Sequence, residues 1–183
     1  MTGPDTAEAG ALIAFWRDAG MGKWFRGGEA FDAECRARWL DAHFAAARRE
    51  FDHWMDDPGS ALALVLLLDQ IPRNVFRGSG HAFATDPLAL HHAGRAIDAG
   101  FDAQVDAGLR FFFYLPFEHS EAIIDQDRAV ALFTALGDAN LLGYANAHRD
   151  VIARFGRFPH RNAALGRDNT ADEQAWLDAG GGF

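Results

Sequence analysis

Ala61–Leu68 is an unbroken apolar run with no polar residue at any helical angle. Asp57-Pro58 precedes it, an N-cap residue followed by proline at the first helical position. A helix that is apolar all round has no face to offer water and must lie at the centre of a core. The run therefore predicts one central helix buried on every side. Asp69-Gln70-Ile71-Pro72 predicts its end, because the residue before proline is biased away from helical geometry. A chain built around such a helix needs other helices to cover it.

The rest of the chain has helical texture, and no two segments alternate as paired strands would. Leu12, Ile13 and Trp16 mark one side of a helix over Ala7–Asp18, and Gly20–Gly28 reads as a glycine-rich break carrying Trp24 and Phe25. Phe31–Phe51 is the longest candidate, with Cys35, Trp39, His43 and Phe44 near one face. Asp86-Pro87 opens a helix to about Ala99, closed by Gly100. Leu109–Phe117 predicts a short buried helix. Glu118–Leu136 and Asp138–Phe155 predict two longer helices joined at Gly137. Thr170-Ala-Asp-Glu173 is a capping box that opens a last short helix, and Gly180–Phe183 is expected to fray. The fold class expected is all-α: residues 1–183 as a single domain, a compact antiparallel array of roughly seven or eight helices.

Charge and targeting narrow the setting. With 26 acidic and 17 basic residues the net charge is -9. An acidic chain is a poor partner for nucleic acid or for an anionic membrane. Cys35 is the only cysteine, so no internal disulfide forms, and no signal peptide or spanning run is present. A cytoplasmic protein with no membrane association is expected. Lys23 is the sole lysine among the basic residues. Arginine suits planar, bidentate recognition of carboxylate or phosphate, although genomic base composition also favours it.

Polar residues on apolar stripes mark a candidate site. His119, Ile123, Gln126, Val130 and Phe133 recur at helical spacing, as do Leu141, Tyr144, His148 and Phe155. His119, Gln126 and His148 are thus placed on core-facing sides of neighbouring helices, where they must find partners or border a polar cavity. Pro72-Arg73-Asn74 and Pro159-His160-Arg161-Asn162 form a partial internal echo, each following a buried helix and each followed by Arg and Gly. Arg73, Asn74, Arg77, Gln126, Arg157, His160, Arg161 and Asn162 are the candidate ligand-binding residues. Their donors suit a small anionic molecule or a peptide carboxylate. The two echoed segments are expected to approach one another, with Asp69, Glu118 and Glu121 offsetting their charge. His119, His148 and Glu121 are the catalytic candidates if the protein is an enzyme. Glu118, His119, Glu121 and His148 have the chemistry of metal ligands, but their spacing matches no recognised site, so neither a metal nor a cofactor is expected.

Three blocks carry a resemblance: Leu67-Leu68-Asp69-Gln70-Ile71-Pro72-Arg73-Asn74-Val75-Phe76-Arg77-Gly78, Tyr114-Leu115-Pro116-Phe117-Glu118-His119-Ser120-Glu121, and Phe155-Gly156-Arg157-Phe158-Pro159-His160-Arg161-Asn162 continuing to Arg167. Together with Phe15-Trp16, Trp24-Phe25 and Phe31-Asp32, the chain resembles the bacterial family catalogued as domain of unknown function nine hundred twenty-four. The resemblance spans essentially the whole chain. It implies an all-helical fold similar to tetratricopeptide-like helical repeats and brings no activity with it. Three readings stay open: a binding protein, a structural polar network without ligand, or an enzyme using His119 or His148. Oligomeric state is not legible.

Overall fold

The computed structural model describes residues 4–183, with side chains from residue 7. Among the described residues every regular element is helical: α1 (Pro4–Trp24), α2 (Gly28–Ala47), α3 (Pro58–Val75), α4 (Asp86–Asp98), α5 (Leu115–Glu118), α6 (Ile123–Leu136), α7 (Ala139–Phe155), α8 (Asn162–Leu165) and α9 (Ala171–Asp178), with short 3-10 turns between them. The all-α class holds. No helix among the described residues is long and apolar enough to cross a membrane. Two compact units divide the chain. One comprises the residues up to Arg77 with His81–Pro116, the other Gly78–Gly80 with Phe117–Phe183.

The first unit is organised by α3. Asp57 accepts the Ser60 backbone N–H, as an N-cap should, and every residue from Ala61 to Leu68 is at most 1% exposed. Helices α1, α2 and α4 and the 3-10 turn Asp52–Asp56 pack around it. Contrary to the sequence expectation, α3 does not stop at Ile71; it continues through Pro72 to Val75. Proline has no N–H for the carbonyl four residues earlier, which is that of Leu68. The Thr85 hydroxyl donates to the Leu68 oxygen at 2.5 Å, and the adjacent Leu67 oxygen accepts His43 Nδ1 at 2.8 Å. The Thr85 hydroxyl thus meets the loss that normally makes proline end a helix.

Thr85→Val is therefore expected to cost ~1–3 kcal/mol, the range for a buried carbonyl stripped of its donor. Urea unfolding of the variant beside wild type measures it. A loss below ~0.5 kcal/mol would show that the Leu68 carbonyl does not depend on this hydroxyl.

Around α3 the packing is aromatic. Helix α1 breaks at Gly20 (φ 67°, ψ 175°), a conformation that strongly favours glycine. The break lets Trp24 fold back, its indole N–H donating to the Trp16 carbonyl at 2.7 Å and its ring standing edge-on to Phe112 at 4.9 Å. Helix α2 buries Phe31, Cys35, Trp39 and His43, but Phe44, expected on the same side, is exposed. Burial pushes the Cys35 thiol up to about 12, so it is inert near neutrality. The Leu109–Phe117 stretch is realised as the 3-10 turn Arg110–Phe113 running into α5.

In the second unit α6 and α7 pack as a pair joined at Gly137, and Asp138 caps α7. Helix α6 begins at Ile123 and not at Glu118, so His119 and Glu121 lie in the bend ahead of it and not on its face. The Gln126 amide holds that bend, donating to the carbonyls of Glu118 and Ser120 at 2.7 Å each. Tyr144, expected on the inner stripe of α7, is exposed. Val151, Ile152 and Phe158 form the local core, against which Phe155 and Trp176 pack. The capping box of α9 is present as read, with Thr170 and Glu173 bonded reciprocally.

Within Gly180–Phe183, the tail expected to fray, Gly181 is packed against α9. The Gly181 N–H donates to the Trp176 carbonyl at 2.9 Å, and a Cβ at Gly181 would sit 2.3 Å from the indole. Glycine is thus required where the backbone lies against that ring.

Candidate functional site

The arginines read as anion-binding groups are engaged with the chain's own oxygens. In the first unit Arg73 lies in the last turn of α3. It is bidentate to Asp86 at 2.8 and 2.9 Å, and its Nη1 is 3.1 Å from Asp69. Burial works against its charge, and Asp69 and Asp86 outweigh that, so its pKa is raised. Asn74 donates to the Gln70 carbonyl at 3.0 Å. Arg77 is bidentate to Asp32 at 2.7 and 2.8 Å. Because the helix runs on through Pro72, this segment belongs to the helix and forms no mouth beyond it.

The second segment is framed by a clasp of six side chains, Arg157, Glu173, Asn162, Asn169, Arg167 and Glu121. Arg157 grips Glu173 through two bonds of 2.6 and 2.7 Å and also donates to the Asp168 carbonyl. The Arg157 guanidinium, with the Thr170 N–H, holds the Glu173 carboxyl down to about 2. Asn162 donates to Asn169 Oδ1 and accepts from Arg167 Nε, both at 2.8 Å. Arg167, which sequence reading left out of the site, pairs with Glu121 at 2.7 and 2.9 Å. The available signal was the Gly166-Arg167 that completes the second echo. Glu121 also accepts the Phe158 N–H at 2.7 Å, and its pKa is lowered by Arg167 and that N–H against the opposing effect of burial.

Beside this clasp the structure gathers the histidines. The rings of His119 and His148 are 6.4 Å apart. Phe158 stands 5.6 Å from His148 and 5.4 Å from His160. Arg161 is buried, lies over the Phe158 ring at 4.4 Å, and donates to the His119 carbonyl at 3.0 Å. His148 Nδ1 faces the Tyr144 carbonyl at 2.9 Å and Glu118 Oε1 at 3.2 Å, so it carries the proton they share. Burial pushes the His148 imidazole down to about 3 and that of His160 to about 4; the Tyr144 hydrogen bond opposes the first shift, and Arg161 adds to both. Both rings are neutral near pH 7.

His119, Gln126, His148, His160 and Arg161 thus belong to one neighbourhood. Arg157, Asn162 and Glu121 belong to the clasp that borders it. Arg73, Asn74 and Arg77 belong to the first unit. In this neighbourhood Gln126 Oε1 and His160 Nδ1 are buried without a hydrogen-bond partner. Among the described residues no group of three or more His, Cys, Asp or Glu is arranged to hold a metal.

A cleft of about 390 Å³ lies elsewhere, in the first unit between α1 and α2, lined by Ala11, Ala14, Phe15, Lys23, Phe31 and Arg38 among others. None of its lining residues belongs to the site read from the sequence.

The family model described as "Bacterial protein of unknown function (DUF924)" matches residues 12–181. A solved structure described as a protein of unknown function, ATU0120 from Agrobacterium tumefaciens, is 51% identical to this chain. It aligns with a TM-score of 0.91 over 94% of this chain and 98% of its own. No curated protein matches.

Proposed function

Since the chain belongs to the bacterial family of unknown function DUF924, we propose that it works by binding a small molecule at the histidine cluster of its second unit, with the arginine–carboxylate clasp as the frame. The observation that carries this reading is the pair of buried, unpartnered polar atoms, Gln126 Oε1 and His160 Nδ1. Their segments meet on one bend: Gln126 bonds the carbonyls of Glu118 and Ser120, and Arg161, next to His160, bonds that of His119. A buried acceptor left unpaired costs ~1–3 kcal/mol, a cost that a ligand offering a hydrogen bond removes.

Support for a small anion or a peptide carboxylate is weaker than the sequence suggested, because Arg73, Arg77 and Arg157 are each bidentate to a carboxylate. An uncharged polar molecule suits the cluster better. Catalysis by the histidines is less well supported too. An imidazole held at about 3 is a weak general base near neutral pH. Placement in the cytoplasm, and the tetratricopeptide-like character that the α6–α7 pair would fit, are part of this reading.

A thermal-shift screen with uncharged polar metabolites, carboxylates and phosphates tests it. A ligand at about 100 times its Kd stabilises by ~2.7 kcal/mol, roughly 5–10 °C for a chain of this size. The expected result is stabilisation by an uncharged polar member, lost in His160→Ala, whose side chain is only partly buried. A screen without any stabilising compound, or stabilisation that survives His160→Ala, contradicts the reading.

A further inference from the structure

The Phe183 ring lies face to face on His148, with centroids 3.6 Å apart and planes 11° apart. Phe158 and His160 stand edge-on to it, at 88° and 84°, with centroids 6.3 and 5.6 Å away. One stacking face and two perpendicular walls make a seat shaped for a planar ring. Yet Phe183 itself is 55% exposed. It covers the cluster without being sealed into it.

Its tether is equally telling. Gly181 is fixed against Trp176 by its hydrogen bond and by lack of space for a Cβ. Gly182, at φ 140°, has a backbone conformation that side-chain-bearing residues rarely adopt, and a Cβ placed there would make only an ordinary contact, with the His160 Cβ at 3.7 Å. A fixed point followed by one unhindered glycine allows the Phe183 ring to leave while the rest of the segment stays in place.

We propose that His148, Phe158 and His160 form a recognition seat for a planar aromatic ring, that Phe183 occupies this seat as an internal stand-in, and that the ligand is an uncharged aromatic molecule that displaces it. This rests on the ligand-site reading above and specifies its substrate class. The ring would stack on the neutral His148 imidazole as Phe183 does. Hydrogen-bonding groups on its rim would meet the polar atoms of the cluster, among which Gln126 and His160 have unpartnered positions.

Indole and cyclohexanol, similar in size but only one aromatic, are the probes. Binding is measured by calorimetry on the full chain as wild type, Phe183→Ala, and Phe183→Ala combined with His148→Gln, in which an amide replaces the imidazole donor. Phe183→Leu, which keeps apolar bulk at the seat, is the second single variant. Emptying the seat is expected to raise indole affinity at least tenfold in Phe183→Ala, with cyclohexanol affinity unchanged and a smaller gain in Phe183→Leu. The His148→Gln change is expected to abolish that gain. Equal indole affinity in wild type and Phe183→Ala overturns the proposal, as does a gain that persists without His148. Stabilisation of wild type by a non-aromatic compound through His160, with no indole gain on removing Phe183, sinks this inference alone. Absence of both sinks the ligand-site reading with it.

Discussion

Leu66→Asp is expected to remove the protein from the soluble fraction. Leu66 lies mid-way along α3 with no exposed surface, and its neighbours from Ala61 to Leu68 are equally buried. No basic residue occurs in that stretch to pair with a new carboxylate. The isolated charge costs several kcal/mol after relaxation, and the lost leucine packing adds ~2–5 kcal/mol. Together these approach or exceed the ~5–15 kcal/mol that holds an ordinary domain folded. Soluble yield after expression, compared with Leu66→Met, checks the expectation. The methionine variant keeps the volume and is expected to cost less than ~1.5 kcal/mol. A soluble, cooperatively unfolding Leu66→Asp protein would mean that α3 is not the sealed centre described here.

Mild acid is expected to unfold the protein through its buried imidazoles. His148 is held at about 3, His160 at about 4 and His92 at about 4, all by burial, against 6.5 for a free histidine. Between those values the unfolded chain binds protons that the native chain does not. Stability is therefore full above pH ~6.5 and falls as pH drops, until the native rings themselves protonate near 3–4. At pH 5 each such ring costs up to about 2 kcal/mol, at ~1.4 kcal/mol per unit and less where solvent screens it, so the three together remove several kcal/mol. The groups facing His148 are Glu118, His119, His160, Arg161 and the Tyr144 carbonyl. The Tyr144 carbonyl and the Glu118 carboxylate favour a protonated ring, and burial prevails over both.

The carboxylates act in a separate window. Glu173, held at about 2 against an ordinary 4.5, contributes stability that is present above pH ~4.5 and lost only as pH falls toward 2. Urea unfolding at pH 7, 6 and 5 thus isolates the histidines. The loss by pH 5 is expected to shrink by about 2 kcal/mol in His148→Gln. A stability curve flat from pH 7 to 5 would contradict neutral burial of these rings.

The legible parts of the fold rest on short-range rules. The Asp57 cap, the Thr170–Glu173 capping box and the turn at Gly137 involve groups within a few residues of one another, so the residues themselves specify the geometry. The surroundings of the candidate site residues depend on longer-range packing. His119 reached the His148 neighbourhood, but from a bend and not from the stripe assigned to it, because the Gln126 amide competes for the carbonyls that helix α6 would have used. Arg167 was passed over because nothing near it in sequence shows that Glu121 is its partner.

By itself, the sequence determined an all-helical chain with α3 sealed at the centre of its unit, since an apolar run capped by Asp57-Pro58 admits no wet face. Only the tertiary structure decided that α3 passes through Pro72, that the arginines serve as internal clasps, and that Phe183 covers the histidine cluster. The partners of Arg73, Arg77 and Arg167 lie 13, 45 and 46 residues away. A guanidinium has the same five donors whether it meets a ligand or a carboxylate of its own chain. Only the distance to the nearest acceptor separates the two roles, and that distance is set by packing.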